Sequence, residues 1–312
     1  MRIAKHYEPE NQITLFHGDC LDLFHELPDS SARLIVTSPP YNIGKSYEKR
    51  LTVDSYVAEQ KAVIEECARI LQPSGSICWE IGNYVDSGEI IPIDILLYPL
   101  FKALGFRLRN RIVWEFGHGL HCSKRFSGRY EVVLWFSKSD DYLFNLDPVR
   151  IPQKYPNKKY FKGEKRGQFS SNPLGKNPGD VWDIPNVKSN HIEKTVHPCQ
   201  FPIELIERLV LSLTDENDLV LDPFMGVGST AIAALIHNRR AAGAEISAEY
   251  VEIAKDRILK AERGELLIRP MERPVYDPTG EKSSIPPRAV SINKSPQLDL
   301  LETRQKYGKG EN

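Results

Sequence analysis

The sequence predicts an α/β fold, and three observations carry that prediction. Short β-rich runs alternate with helical patterns over most of the chain. The run ARLIVTS at 32–38 is continuously apolar, as expected of a parallel strand covered on both faces. The segment DLVLDPFMGVGSTAIAALIHN at 218–238 reads as strand, glycine loop and helix, and a further strand, RAAGAEIS, follows at 240–247.

Taken in order, QITLFHGD (12–19) predicts a strand and CLDLFHELP (20–28) a short helix. After the buried strand 32–38, residues 52–71 have helical spacing, with Tyr56, Val57, Val63, Ile64, Cys67 and Leu71 on one side. PSGSICWEIGN (73–83) predicts a turn and a strand, and IDILLYPLFKALG (93–105) an apolar helix ending at glycine. RNRIVWEF (109–116) and YEVVLWFSK (130–138) predict two strands joined by a loop. FPIELIERLVLSLT (201–214) is an amphipathic helix, and AEYVEIAKDRILKAE (248–262) closes the ordered pattern.

Composition narrows the class. With 312 residues the chain has room for one large domain or two modest ones, and 41% apolar with 27% charged residues is a globular balance. A formal charge of −1 means that any basic surface must be local. The five cysteines, at 20, 67, 78, 122 and 199, form no CxxC pair, which predicts reduced thiols and neither a disulfide framework nor a zinc site. No window approaches a membrane span, and MRIAKHYEPENQ lacks the apolar stretch of a signal peptide, so a cytoplasmic protein is expected.

Residues 145–192 differ in character. Periodicity fades, and nine Lys/Arg stand against three Asp/Glu between 150 and 190, interleaved with Tyr155, Tyr160, Phe161, Phe169 and Trp182. By itself this is a solvated insertion; beside a nucleic-acid site it becomes a candidate contact surface, with Lys158 and Lys159 as phosphate ligands. After about residue 266, proline, serine and charge dominate, which predicts an extended or disordered tail over 266–312.

Two motifs carry chemistry. In DPFMGVGST (222–230) the glycines lie at 226 and 228, without the third glycine of a dinucleotide fingerprint or the lysine of a P-loop. Glu245, 17 positions after Gly228, ends the next strand, where a carboxylate accepts hydrogen bonds from ribose hydroxyls. Together they predict an adenosine-type ligand. In TSPPYN (37–42) two prolines leave a buried strand at a set angle and present Ser38, Pro39, Pro40 and Tyr41 at its lip.

DPFMGVGST together with TSPPY resembles the S-adenosylmethionine-dependent amino-methyltransferases of DNA, which modify cytosine N4 or adenine N6. The catalytic motif precedes the cofactor loop, as in the β-group of bacterial restriction–modification and orphan enzymes. The resemblance spans residues 12–262 and includes GDCLDLF (18–24), RYEVVLWFSK (129–138) and HPCQFPIELIERLV (197–210). It implies a Rossmann-like fold: a mostly parallel seven-stranded sheet with an antiparallel strand near one edge, and a small irregular target-recognition insertion. The chain then divides into a catalytic half (12–144), the insertion (145–192), a cofactor-binding half (193–265) and the tail.

The resemblance also implies roles. Ser38 Oγ and the Pro39 carbonyl would accept both protons of the target amine, drawing its lone pair out of conjugation, while Tyr41 stacks on a base flipped from the duplex. Asp19, Asp222, Phe224, Gly226, Gly228 and Glu245 would surround S-adenosyl-L-methionine, with Thr195 and His197 near its methionine end. Trp114 would wall the base pocket or sit in the core. Lys124, Arg125 and Arg129 would extend the DNA surface. Pro198-Cys199 imitates the nucleophile of cytosine C5 enzymes but lies upstream of the cofactor loop, so Cys199 is expected to be a buried, inert thiol. Double-stranded DNA is the implied partner, a restriction endonuclease a second one, and the chain a monomer or homodimer. Serine at the head of the tetrapeptide favours cytosine N4. Adenine N6, an RNA or glutamine-amide substrate, and a catalytically inactive nucleic-acid-binding partner are the alternatives.

Overall fold

The computed structural model describes residues 2–42, 44, 50–117, 119, 121–188, 190–271 and 288–292, and the structural statements below concern these. The first half contributes β1 (Ile3–Ala4), β2 (Ile13–His17), α1 (Cys20–Glu26), β3 (Ala32–Thr37), α2 (Val53–Ile70), β4 (Leu71–Ile81), the hairpin β5 (Tyr84–Asp86) and β6 (Glu89–Ile91), α3 (Ile93–Ala103), β7 (Arg107–Glu115) and β8 (Tyr130–Ser137). The second half contributes β9 (Val181–Asp183), α4 (Ile203–Leu213), β10 (Leu219–Asp222), α5 (Ser229–Leu235), β11 (Arg240–Glu245), α6 (Ala248–Glu262), β12 (Leu266–Ile268) and β13 (Arg288–Val290).

The main sheet runs β1-β2-β11-β10-β3-β4-β8-β7-β9. Only β8 is antiparallel to its neighbours β4 and β7. The expected seven strands are β2, β11, β10, β3, β4, β8 and β7, and short strands extend both edges: β1 beside β2, and β9 parallel to β7. Neither of those edges was foreseen. β9 comes from inside the 145–192 insertion, so that segment is joined to the sheet and does not merely lie on it. Trp182 on β9 is buried, and the Arg208 guanidinium of α4 covers its ring at 4.8 Å.

Strand pleating explains the apolar run at 32–38. Leu34 and Val36 of β3 enter a core shared with α4, α5 and α6, whereas Ile35 enters the opposite core with α1, α2 and α3. β10 divides likewise, Val220 to the first core and Leu219 and Leu221 to the second. The face of α2 inferred from spacing is buried at Tyr56, Val63, Ile64 and Cys67, and Thr52 caps its start by accepting the Ser55 N–H at 3.2 Å.

The tail expectation needs correction at its near end. β12 and β13 pair antiparallel, and Arg269 and Arg288 reach the buried carboxylates of Glu204 and Glu207 on α4. Two ion pairs with carboxylates inside the fold hold this part of the tail, which composition alone does not reveal. Residues 272–287 and 293–312 lie outside the described residues. Among the described residues no helix is long and apolar enough to cross a membrane.

All of this brings one edge of the sheet into focus. The carboxyl ends of β3, β4, β7, β10 and β11 share it, as does the start of antiparallel β8. In open α/β sheets this is the edge where ligands bind.

Candidate active site

A cavity opens at that edge, and both sequence motifs line it. Ser38, Pro39, Pro40 and Tyr41 leave the end of β3; Phe224 and Gly226 belong to the loop after β10; Glu245 ends β11. Asp19, expected near the ligand, also lines it, and caps α1 by accepting the Leu21 N–H at 2.8 Å.

Glu245 organises the loop. Its Oε2 accepts the Gly226 N–H at 3.0 Å and its Oε1 the Ser247 N–H at 2.7 Å. Each oxygen keeps lone-pair capacity toward the cavity. Burial raises its carboxyl above the ordinary glutamate range. Gly226 itself has φ +53°, a conformation that L side chains rarely adopt. His197 stands over this loop, edge-on to Tyr250 with ring centroids 4.6 Å apart, and burial pushes its imidazole down to about 4. At neutral pH it is therefore an uncharged wall, its Nδ1 accepting the Cys199 N–H at 3.2 Å.

Three expected ligand residues do not line the cavity. Asp222 turns into the fold: its Oδ1 accepts the Thr37 hydroxyl at 2.5 Å and the Phe224 N–H at 3.0 Å, and its Oδ2 accepts the Thr230 hydroxyl at 2.6 Å. Burial raises that carboxyl to about 6. Asp222 thus ties β3, the loop and α5 together from behind. Thr195 is spent within its own loop, donating to Gln200 Oε1 at 2.9 Å and accepting the His197 N–H at 3.2 Å. Gly228 faces α6, where an added Cβ would stand 3.1 Å from that of Ala254.

Other expectations change too. Cys199 is half-buried and lines the cavity, so it is not the buried core thiol expected. Trp114 is core: it is buried, and its indole N–H donates to the Ile184 carbonyl at 2.7 Å. Arg129 folds back under its own loop toward His121, 3.5 Å away, and Gly119, whereas Lys124 and Arg125 are exposed. Lys158 and Lys159 are exposed on the insertion, Lys159 lying 5.3 Å from the Phe169 ring centroid. Ile43 and residues 45–49, which follow the tetrapeptide, lie outside the described residues.

Sequence reasoning missed two carboxylates behind the tetrapeptide. The buried Tyr41 hydroxyl donates to Glu80 Oε2 on β4 and lies 2.9 Å from Ser38 Oγ. Glu131 on β8 stands beside Glu80 and Tyr41. Burial raises both carboxyls, Glu131 further because Glu80 is its neighbour. Their visible signal was an acidic residue in each of two apolar strands, SICWEIGN and YEVVLWFSK. Gly243, also missed, leaves no room for a Cβ, which would meet the Asp222 carbonyl at 2.6 Å.

The proton count on this network has a chemical consequence. Tyr41 has one hydroxyl proton and gives it to Glu80. Ser38 must then donate to the Tyr41 oxygen, so both lone pairs of Ser38 Oγ remain available as acceptors. No hydrogen bond to the Pro39 carbonyl occurs among the described residues. The edge therefore offers two adjacent acceptors beside a cavity lined by a glycine loop and a carboxylate.

Known proteins are similar to this chain in sequence and in fold. The family model described as DNA methylase, covering N6 and N4 enzymes, matches residues 32–256. The type II methyltransferase M.BglII of Bacillus subtilis is 54% identical over 241 residues, 77% of this chain and 67% of that protein. Among solved structures, the cytosine-N4-specific PvuII DNA methyltransferase superposes with a TM-score of 0.63 at 23% identity, covering 78% of this chain and 84% of that one. TTHA0409 of Thermus thermophilus, solved with S-adenosyl-L-methionine, gives 0.55 at 27% identity over 78% and 91%. The chain belongs to the N6/N4 family of DNA methylases.

Proposed function

We propose that this chain transfers a methyl group from S-adenosyl-L-methionine to the exocyclic amino group of a base flipped out of double-stranded DNA, with cytosine N4 as the acceptor. The observation that carries the reading is the Ser38–Tyr41–Glu80 chain, which leaves Ser38 Oγ as an acceptor on the cavity that Gly226 and Glu245 also line.

The residues fit the cofactor. Glu245 retains acceptor capacity for ribose hydroxyls, Asp19 for an adenine amino group, and the uncharged His197 sets a boundary without repelling a sulfonium. Bound there, the cofactor supplies an electrophilic methyl group. Everything else is positioning. Ser38 Oγ and the Pro39 carbonyl each accept a hydrogen bond from one amine N–H, which draws the nitrogen lone pair out of conjugation with the ring and directs it at the methyl group. The rigid prolines hold the carbonyl's direction. Holding the lone pair in line supplies most of the acceleration. Serine at the head of the tetrapeptide supports cytosine over adenine. Lys158, Lys159, Lys124 and Arg125 supply the phosphate contacts, and a restriction endonuclease acting on the same site is the expected companion.

The test is nucleoside chromatography with mass detection, and single-molecule sequencing, of DNA from a methylation-free host expressing the chain. N4-methylcytosine at a fixed sequence is expected. N6-methyladenine alone would overturn the base and leave the two-acceptor chemistry standing. 5-Methylcytosine would overturn that chemistry, because it requires thiolate attack on the ring.

A further inference from the structure

A base that turns out of the duplex leaves a gap in the stack, and one side chain is placed and shaped to fill it. Phe126 is 99% exposed, the most exposed large apolar side chain among the described residues; Phe161, the next, is 83% exposed. It follows two exposed cations, Lys124 and Arg125. Its loop is not a loose end. The Cys122 N–H donates to Ser127 Oγ at 3.1 Å, and the Phe116 N–H donates to the Arg129 carbonyl at 3.0 Å, closing the base of the loop. Arg129 braces it from beneath.

Position adds to shape. The loop joins β7 to β8 at the edge that carries Ser38, since Glu115 pairs with Tyr130 there. Glu131, against Tyr41 and Glu80, is five residues from Phe126. Five extended residues span at most about 18 Å, so Phe126 stands within that reach of the catalytic network. An apolar ring held in water beside two cations, on the sheet edge that carries the cavity, suits the gap in a base stack. Apolar wedges that enter base steps have this composition.

The geometry points to Phe126 as the wedge that fills the duplex when the target base turns into the cavity, with Lys124 and Arg125 holding the flanking phosphates. This rests on the DNA-methyltransferase reading above. Phe126 is a positioning residue and does not touch the reacting atoms. It matters most when the target is paired and stacked, and least when the target is already unpaired, because extrusion is then cheap.

The test compares Phe126→Ala, Phe126→Trp and, as a control, alanine at the exposed Leu104 that ends α3 away from the site, on two duplexes carrying the site read by methylation sequencing, one fully paired and one with a mismatch at the target. Phe126→Ala is expected to slow methylation of the paired duplex by about tenfold or more and that of the mismatched duplex by less than about threefold. Phe126→Trp and Leu104→Ala should keep the parent rate on both, and calorimetric affinity for S-adenosyl-L-methionine should be unchanged throughout. Equal loss on both duplexes, no loss on either, or the split pattern appearing in Leu104→Ala would overturn the wedge. A parent protein that methylates neither duplex would instead sink the reading on which the wedge depends.

Discussion

The Tyr41 hydroxyl donates to Glu80, and that single hydrogen bond determines what Ser38 can do. Its proton spent, the Tyr41 oxygen accepts from Ser38, 2.9 Å away, and frees the serine lone pairs. Tyr41→Phe keeps the ring and removes the relay. It should lower the single-turnover methylation rate about tenfold, or about 1.4 kcal/mol, with unchanged cofactor affinity. Tyr41→Ala should cost a further 1–3 kcal/mol or so, the worth of a base–aromatic stack. A Tyr41→Phe protein as fast as the parent would show that the hydroxyl merely packs the tetrapeptide.

The neighbouring carboxylates make a pH prediction. Glu80 and Glu131 hold their protons above the ordinary glutamate range because of burial and, at Glu131, because of each other. The native state therefore binds more protons than the unfolded chain over that window. Stability falls as pH rises from the ordinary glutamate pKa through the raised one. Glu131→Gln removes one of the two charges, so its unfolding midpoint should fall less steeply than the parent's as pH rises above the ordinary glutamate pKa. Parallel pH profiles would mean that the two carboxyls do not share a charge.

Most of the fold was legible because it rests on periodicity. Residues 53–70 show a buried helical face, and 32–37 a strand apolar throughout, each within one segment. The elements that escaped, β1, β5, β6, β9, β12 and β13, are two or three residues long, too short to show a period, and β9 is fixed by pairing with β7, far away in sequence. The site divides in the same way. Ser38, Tyr41, Gly226 and Glu245 belong to local motifs, and the fold brings them to one cavity. Glu80 and Glu131 belong to no motif, and only sheet pairing brings them together: Glu80 aligns with Val133, two residues from Glu131. Asp222 was found but misread, because its motif does not say which way the carboxylate turns.

That misreading yields its own test. Thr230 donates to Asp222 Oδ2 at 2.6 Å inside the fold. Thr230→Val keeps the shape and strands one carboxylate oxygen, which should destabilise the protein by about 1.5–3 kcal/mol in urea unfolding. It should also weaken cofactor affinity, since Asp222 holds the Phe224 N–H at the start of the loop. Unchanged stability would mean that the carboxylate finds another partner.

Gly243 makes a steric prediction. A Cβ there would lie 2.6 Å from the Asp222 carbonyl, which is backbone and cannot swing aside. Gly243→Ala should cost about 1–3 kcal/mol, the usual penalty for overpacking a well-packed core. Its effect on the loop should appear as weaker cofactor binding. A neutral substitution would mean that β10 and β11 separate freely at their ends.

The last prediction separates contact with phosphate from contact with bases. Lys158 and Lys159 are exposed on the insertion, beside Phe169, and neither forms an ion pair among the described residues. Each phosphate neutralised releases counterions and steepens the fall of affinity with salt by about 0.9 in the log–log slope. Replacing both lysines by glutamine should therefore flatten the slope by nearly 2 and weaken specific and non-specific duplexes alike. Fluorescence anisotropy across a salt series measures both quantities. If affinity for the specific site alone falls and the slope stays put, the two lysines read bases or hold the insertion's shape. An unchanged slope with unchanged affinity would remove this stretch from the DNA interface and leave the phosphate contacts to Lys124 and Arg125.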